Sequence, residues 1–130
     1  MPTVFPYGVK PSPDYTPIES YVYKRWLNSI YLWSASTVNL TTVTTTYTVE
    51  ALIYYVRCNA TGGAFTVTLP PAINLQGRKI LIKKIDASGN AITVAADGSD
   101  TIEGSGTLPL AAQWNSLHLI SNGVNGWEIV

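Results

Sequence analysis

The sequence predicts a mainly β protein, an antiparallel β-sandwich or small barrel preceded by an extended proline-rich arm and one short helix. Three observations carry this expectation. Pro2, Pro6, Pro11 and Pro13 crowd the first fifteen residues, a single apolar stripe of helical spacing follows, and from residue 37 onward the period drops to two between glycine and asparagine turns. The expected organisation is therefore an arm over residues 1–15, a helix and linker over 16–36, and a β-sandwich domain over 37–130.

Each arm proline fixes φ and removes a donor, so neither a helix nor a central strand can form there. A plain disordered tail is rich in charge and poor in aromatics. This arm instead carries Val4, Phe5, Tyr7, Val9 and Tyr15, which are the candidate anchors for a partner surface. A capping box then starts the helix: Thr16 as N-cap, Pro17 at the first helical position and Glu19 reaching back to a free amide. Over residues 17–34, Ile18, Val22, Trp26, Ile30 and Trp33 form one stripe with Tyr23 and Leu27 beside it, while Lys24 and Arg25 fall off it. The stripe covers either the chain's own sheet or another copy, and Val22, Trp26 and Ile30 are candidate oligomer-interface residues.

From Thr37 the composition turns to threonine and valine, whose branched side chains favour strands. Strands are expected at residues 46–49, 52–58, 64–69, 79–85, 91–95, 100–103, 107–111, 116–121 and 126–130, separated by turns such as Thr61-Gly62-Gly63, Ser88-Gly89-Asn90 and Asn122-Gly123. Alternation assigns Phe65, Val67, Leu69, Ile92, Val94, Leu108, Leu110, Leu117, Leu119, Trp127 and Ile129 to the core. Ile80-Leu81-Ile82 is apolar on both faces, as in a strand covered twice, so Leu81 joins the interface candidates.

Charged residues are 12% of the chain against a usual share of about 25%, which suits a surface partly covered by copies of itself. Eight basic and eight acidic residues cancel without a run of either sign, so nucleic acid is not an expected partner. The lone Cys58 has no disulfide mate. No leader pattern opens the chain and no apolar run reaches the roughly 18 residues of a membrane span, so the expectation is a product made in the cytoplasm without a membrane partner.

Catalytic chemistry finds little support. His118 is the only histidine and sits on the outward side of its strand, so one chain cannot build a two-histidine metal site. Asp100 and Glu103 are the nearest thing to a carboxylate pair, yet they lie in a glycine-rich region where acidic side chains hold turns. Asp97-Gly98-Ser99-Asp100 is too short for a calcium loop, and Gly62-Gly63 lacks the helix and lysine of a phosphate cradle. No catalytic, cofactor-binding or metal residue is expected, and no cofactor.

One stretch is familiar. The string GGAFTVTLPPA, then GRKILIKKIDASGNAITVAADGSDTIEG, then LPLAAQWNSLHLISNGVNGWEIV resembles a β-domain of tailed-phage virion structural proteins, found in capsid decorations, head fibres, tail fibres and tailspikes. The matching elements are residues 69–72, 77–84, 101–104 and 127–129, and the likeness spans about 46–130. It implies a virion protein, usually trimeric. The foremost expectation is a capsid decoration or cement protein, a homotrimer whose arms stabilise the head by crossing major capsid subunits. The alternative is a short tail fibre or an adaptor anchoring a fibre among tail proteins. A third reading, a carbohydrate-binding module, would use Tyr54, Tyr55 and Trp114 as stacking surfaces.

Overall fold

The protein's structure, a computed structural model, describes residues 37–130, and no helix occurs among them. The proline-rich arm, the short helix and the candidate residues Val4, Phe5, Tyr7, Val9, Tyr15, Val22, Trp26 and Ile30 lie outside the described residues. Alternating apolar and hydroxyl-bearing side chains build ten strands: β1 (Leu40–Val43), β2 (Tyr47–Thr48), β3 (Tyr55–Cys58), β4 (Phe65–Thr68), β5 (Lys79–Lys84), β6 (Ile92–Ala95), β7 (Thr101–Ile102), β8 (Thr107–Leu110), β9 (Ser116–Ser121) and β10 (Gly126–Ile129). The nine expected segments contain β2 to β10, while β1, inside the threonine-rich stretch, is an additional strand.

Two mixed sheets result, one of six strands in the order β1-β3-β5-β9-β10-β7 and one of four in the order β2-β4-β6-β8. The expectation of antiparallel sheets is corrected here. Five of the eight pairings are parallel, namely β1 with β3, β3 with β5, β2 with β4, β4 with β6, and β7 with β10, against three antiparallel ones. The physical reason lies in the turns. A glycine-rich turn reverses the chain but does not choose its next neighbour, and the connections after β1 to β8 each carry the chain to the other sheet instead of back along the same one. The early strands of each sheet, β1, β3 and β5 in the larger and β2, β4 and β6 in the smaller, therefore run the same way. Asn122-Gly123 alone makes a hairpin between consecutive strands, β9 and β10. There the Asn122 side-chain oxygen accepts from the amides of Val124, Asn125 and Gly126 at 2.9, 3.1 and 3.1 Å. Gly123 has φ 81°, and a Cβ would fall 2.6 Å from that of Gln76.

The buried side chains of both sheets form one cluster, with Val56, Ile80, Ile82, Leu119 and Trp127 from the larger sheet and Phe65, Val67, Ile92, Val94 and Leu110 from the smaller. Burying a side chain of this size stabilises the fold by about 1.5–3 kcal/mol. One assignment needs correction. Leu108 and Leu117 are half-buried and pack against the core, but Ile129 is exposed although it shares the parity of Trp127. The six-stranded sheet is two strands wider than its partner, so its margin at the end of β10 is incompletely roofed.

Candidate interaction surface

Strand parity sorts the larger sheet into two chemically different faces. On β5, Ile80, Ile82 and Lys84 point inward and are buried, while Lys79, Leu81 and Lys83 face out. Pairing then lines up a row across the outer face: Leu40 on β1 beside Tyr55 on β3, Tyr55 beside Leu81, and Leu81 beside His118 on β9. Val130 extends it, its amide donating to the His118 carbonyl at 2.9 Å. Tyr55, Leu81 and His118 are half-buried, whereas Leu40 and Val130 are 50% and 64% exposed. The flanking rows bear charge, with Arg57 and Lys83 on one side and Lys79 and Glu128 on the other.

His118 is fixed within this row. Its Nε2 shares a 2.8 Å hydrogen bond with the Tyr54 hydroxyl, and the two rings meet edge-on with centroids 5.9 Å apart. Trp114, 58% exposed, lies beneath the Lys83 ammonium, 5.6 Å from the ring centroid. The three aromatics considered for sugar stacking thus divide: Tyr55 belongs to the row, Tyr54 edges against His118, and Trp114 is partnered by a cation. An apolar and aromatic centre bordered by charges has the composition of a protein–protein contact.

A second cluster lies beneath this sheet and was not anticipated. Lys84, fully buried beside Cys58 in the β3–β5 register, places its Nζ 2.8 Å from the Asp86 Oδ2 and 3.2 Å from the Asp86 carbonyl. The other carboxylate oxygen of Asp86 accepts from the Ala60 amide at 2.7 Å. The Ser88 amide, at 3.0 Å, and the Ser88 hydroxyl both donate to Oδ2. The Asn90 side-chain amide donates to the Ala60 carbonyl at 2.8 Å. Burial alone would raise the Asp86 carboxyl, but the Lys84 ammonium, the Ser88 hydroxyl and the amides of Ala60 and Ser88 outweigh it and hold it well below the usual carboxylate range. The clue was available in sequence: Lys84 has the parity of Ile80 and Ile82, and an acid follows two residues later. This cluster ties the turn after β3 to the turn after β5.

Burial, with Asp86 adding to it and Lys84 opposing, pushes the Cys58 thiol up to about 12, so little of the nucleophilic thiolate forms near neutral pH. Asp100 and Glu103 are each committed to the main chain, Asp100 accepting from the Ala72 amide at 2.8 Å and Glu103 from the Ile129 amide at 2.8 Å. These bonds reach segments 28 and 26 positions away, whereas the expectation from sequence is that the acids hold their own turn. Glu103 also borders a depression of about 310 Å³ with Thr101, Asn122 and Glu128. No group of three or more His, Cys, Asp or Glu residues suited to a metal ion occurs among the described residues.

The chain matches no known protein-family pattern and no curated protein at a significant level.

Proposed function

We propose that this chain is a structural subunit of a tailed-phage virion, a two-sheet β-sandwich that acts by assembly and docking, without catalysing a reaction. It forms a homotrimer, decorates the capsid as a cement protein, and uses Val4, Phe5, Tyr7, Val9 and Tyr15 of its arm to grip neighbouring capsid subunits. The observation that supports this reading best is the row Leu40, Tyr55, Leu81, His118 and Val130: apolar and aromatic side chains spanning an outer sheet face of a chain with only 12% charged residues. The resemblance of residues 46–130 to virion β-domains supplies the particle.

Light scattering on the whole chain tests it. The smallest stable assembly expected has about three times 14.1 kDa, and Leu81→Asp should lose that trimeric species with an unchanged circular dichroism spectrum, because an ionised carboxylate is costly at a dry contact. A wild-type monomer at micromolar concentration would count against the trimer. Gold-labelled antibody on intact particles separates head from tail. Label over the capsid, lost when residues 1–15 are deleted, is the expected result, whereas label at the tail would favour the adaptor reading.

A further inference from the structure

The two ends of the sheet stack are protected to different degrees. At one end the four-stranded sheet closes on β8, whose Pro109 cannot donate to a further strand, and the six-stranded sheet closes on β7, only two residues long. Short strands and prolines are the usual means of preventing edge-to-edge pairing. At the other end lies β1, four residues without proline, inside a stretch from Thr37 to Val49 that contains no Lys, Arg, Asp or Glu.

The hydrogen bonding of β1 shows which groups it offers. The Asn39 carbonyl accepts from the Tyr55 amide at 3.1 Å, and the Val43 carbonyl accepts from the Asn59 amide at 2.9 Å. In a parallel pair such bonding residues alternate, so Asn39, Thr41 and Val43 turn their main chain toward β3. Leu40 and Thr42 consequently turn their N–H and C=O groups outward, and no described strand pairs with that side.

We infer that β1 is a strand-pairing edge that joins two copies of this chain antiparallel across a twofold axis at Thr41. Head-to-tail pairing is disfavoured because the opposite edges are closed by Pro109 and by the shortness of β7. Twofold pairing is self-complementary: Leu40 of one copy exchanges both bonds with Thr42 of the other, and the reverse, about a central pair of Thr41 residues. A charge-free edge meets no like-charge repulsion on its own image. The join would make the two six-stranded sheets continuous, and it links trimers to one another through the main chain of β1 at the margin of the row, leaving Tyr55, Leu81 and His118 free.

Cysteine cross-linking of the full chain tests the geometry. The two Thr41 residues form a non-hydrogen-bonded pair with Cα atoms about 4.5 Å apart, within disulfide range. Thr41→Cys should therefore give, under mild oxidation and non-reducing electrophoresis, a covalent dimer near twice 14.1 kDa. Cys58 is buried and contributes no background. In the same register the two Thr44 residues are six positions apart, roughly 20 Å, so Thr44→Cys should cross-link at least about tenfold more slowly. Adding Thr42→Pro to Thr41→Cys removes an outward N–H and should abolish the dimer with the circular dichroism spectrum retained, whereas adding Leu81→Asp should not. Cross-linking of Thr41→Cys no faster than Thr44→Cys, or its persistence with Thr42→Pro, would overturn the inference, while the trimer would still stand or fall on its own mass measurement.

Discussion

The inner and outer faces of the six-stranded sheet are built from the same strands, yet they treat charge in opposite ways. On the inner face one cation, Lys84, is admitted, and it is surrounded by acceptors from Asp86 and Ser88. On the outer face Lys79 and Lys83 need no such enclosure because they reach solvent, and the apolar side chains Leu40, Leu81 and Val130 stand among them. Position on the strand, more than residue type, thus decides what a side chain contributes. An inward cation must be paired to be tolerated, and an outward leucine remains available for contact with another surface.

The largest expected effect comes from breaking the inner rule. Ile82 is buried two residues before Lys84 on the same face, but no described side chain there supplies the acceptors that Lys84 has. Ile82→Lys should cost several kcal/mol by order of magnitude and abolish the cooperative thermal transition. A variant with wild-type stability would show that the face assignment of β5 is wrong.

Next in size is the removal of one partner of the buried pair. Asp86→Ala strands the Lys84 ammonium and two backbone amides, and should lower unfolding free energy by about 3–5 kcal/mol in denaturant titrations. Replacing both residues, Lys84→Met with Asp86→Ala, should recover much of that loss, since an apolar pair carries no unmet charge. A double variant no better than the single one would assign the stabilisation to the Ala60 and Ser88 contacts instead. Acid offers a second reading of the same pair. Because the folded Asp86 value is depressed, its contribution is fully present above the unfolded carboxylate value near 3.9 and is lost as pH falls from there toward the lower folded value. Asp86→Asn should flatten this part of the stability profile below about pH 4.

Much of the fold was legible because side-chain parity is written locally. Phe65, Val67, Ile92, Val94, Leu119 and Trp127 were all placed inward from alternation alone, and all are buried. Partner choice is not local. Nothing in Thr61-Gly62-Gly63 distinguishes a return along one sheet from a crossing to the other, so the parallel stacking of β1, β3 and β5 was not foreseen. The offsets between stacked partners, 15 residues from Leu40 to Tyr55 and 26 from Tyr55 to Leu81, also differ, so no repeat announces the arrangement. For the candidate surface, the two-faced character of Ile80-Leu81-Ile82 pointed to Leu81, but the remainder of its row depends on register. Tyr54 and His118 are 64 positions apart, and no spacing rule joins them.

The smallest effect expected lies at that last contact, and it separates anchoring from folding. Tyr54 and His118 are half-buried on the outer face, where a neutral hydrogen bond contributes about 0.5–1.5 kcal/mol. Tyr54→Phe keeps the edge-on ring contact but removes the hydroxyl, so unfolding free energy should fall by about 1 kcal/mol or less. The more telling readout is the imidazole itself. Without the hydroxyl, the His118 ring loses the partner that sets its tautomer and orientation, and its ring proton resonances in NMR spectra should shift and broaden, while those of the inward Trp127 stay unchanged. If His118 is unaffected and Trp127 moves, the contact is transmitted through the core, and the separation of the two faces fails at the position where the row is best defined.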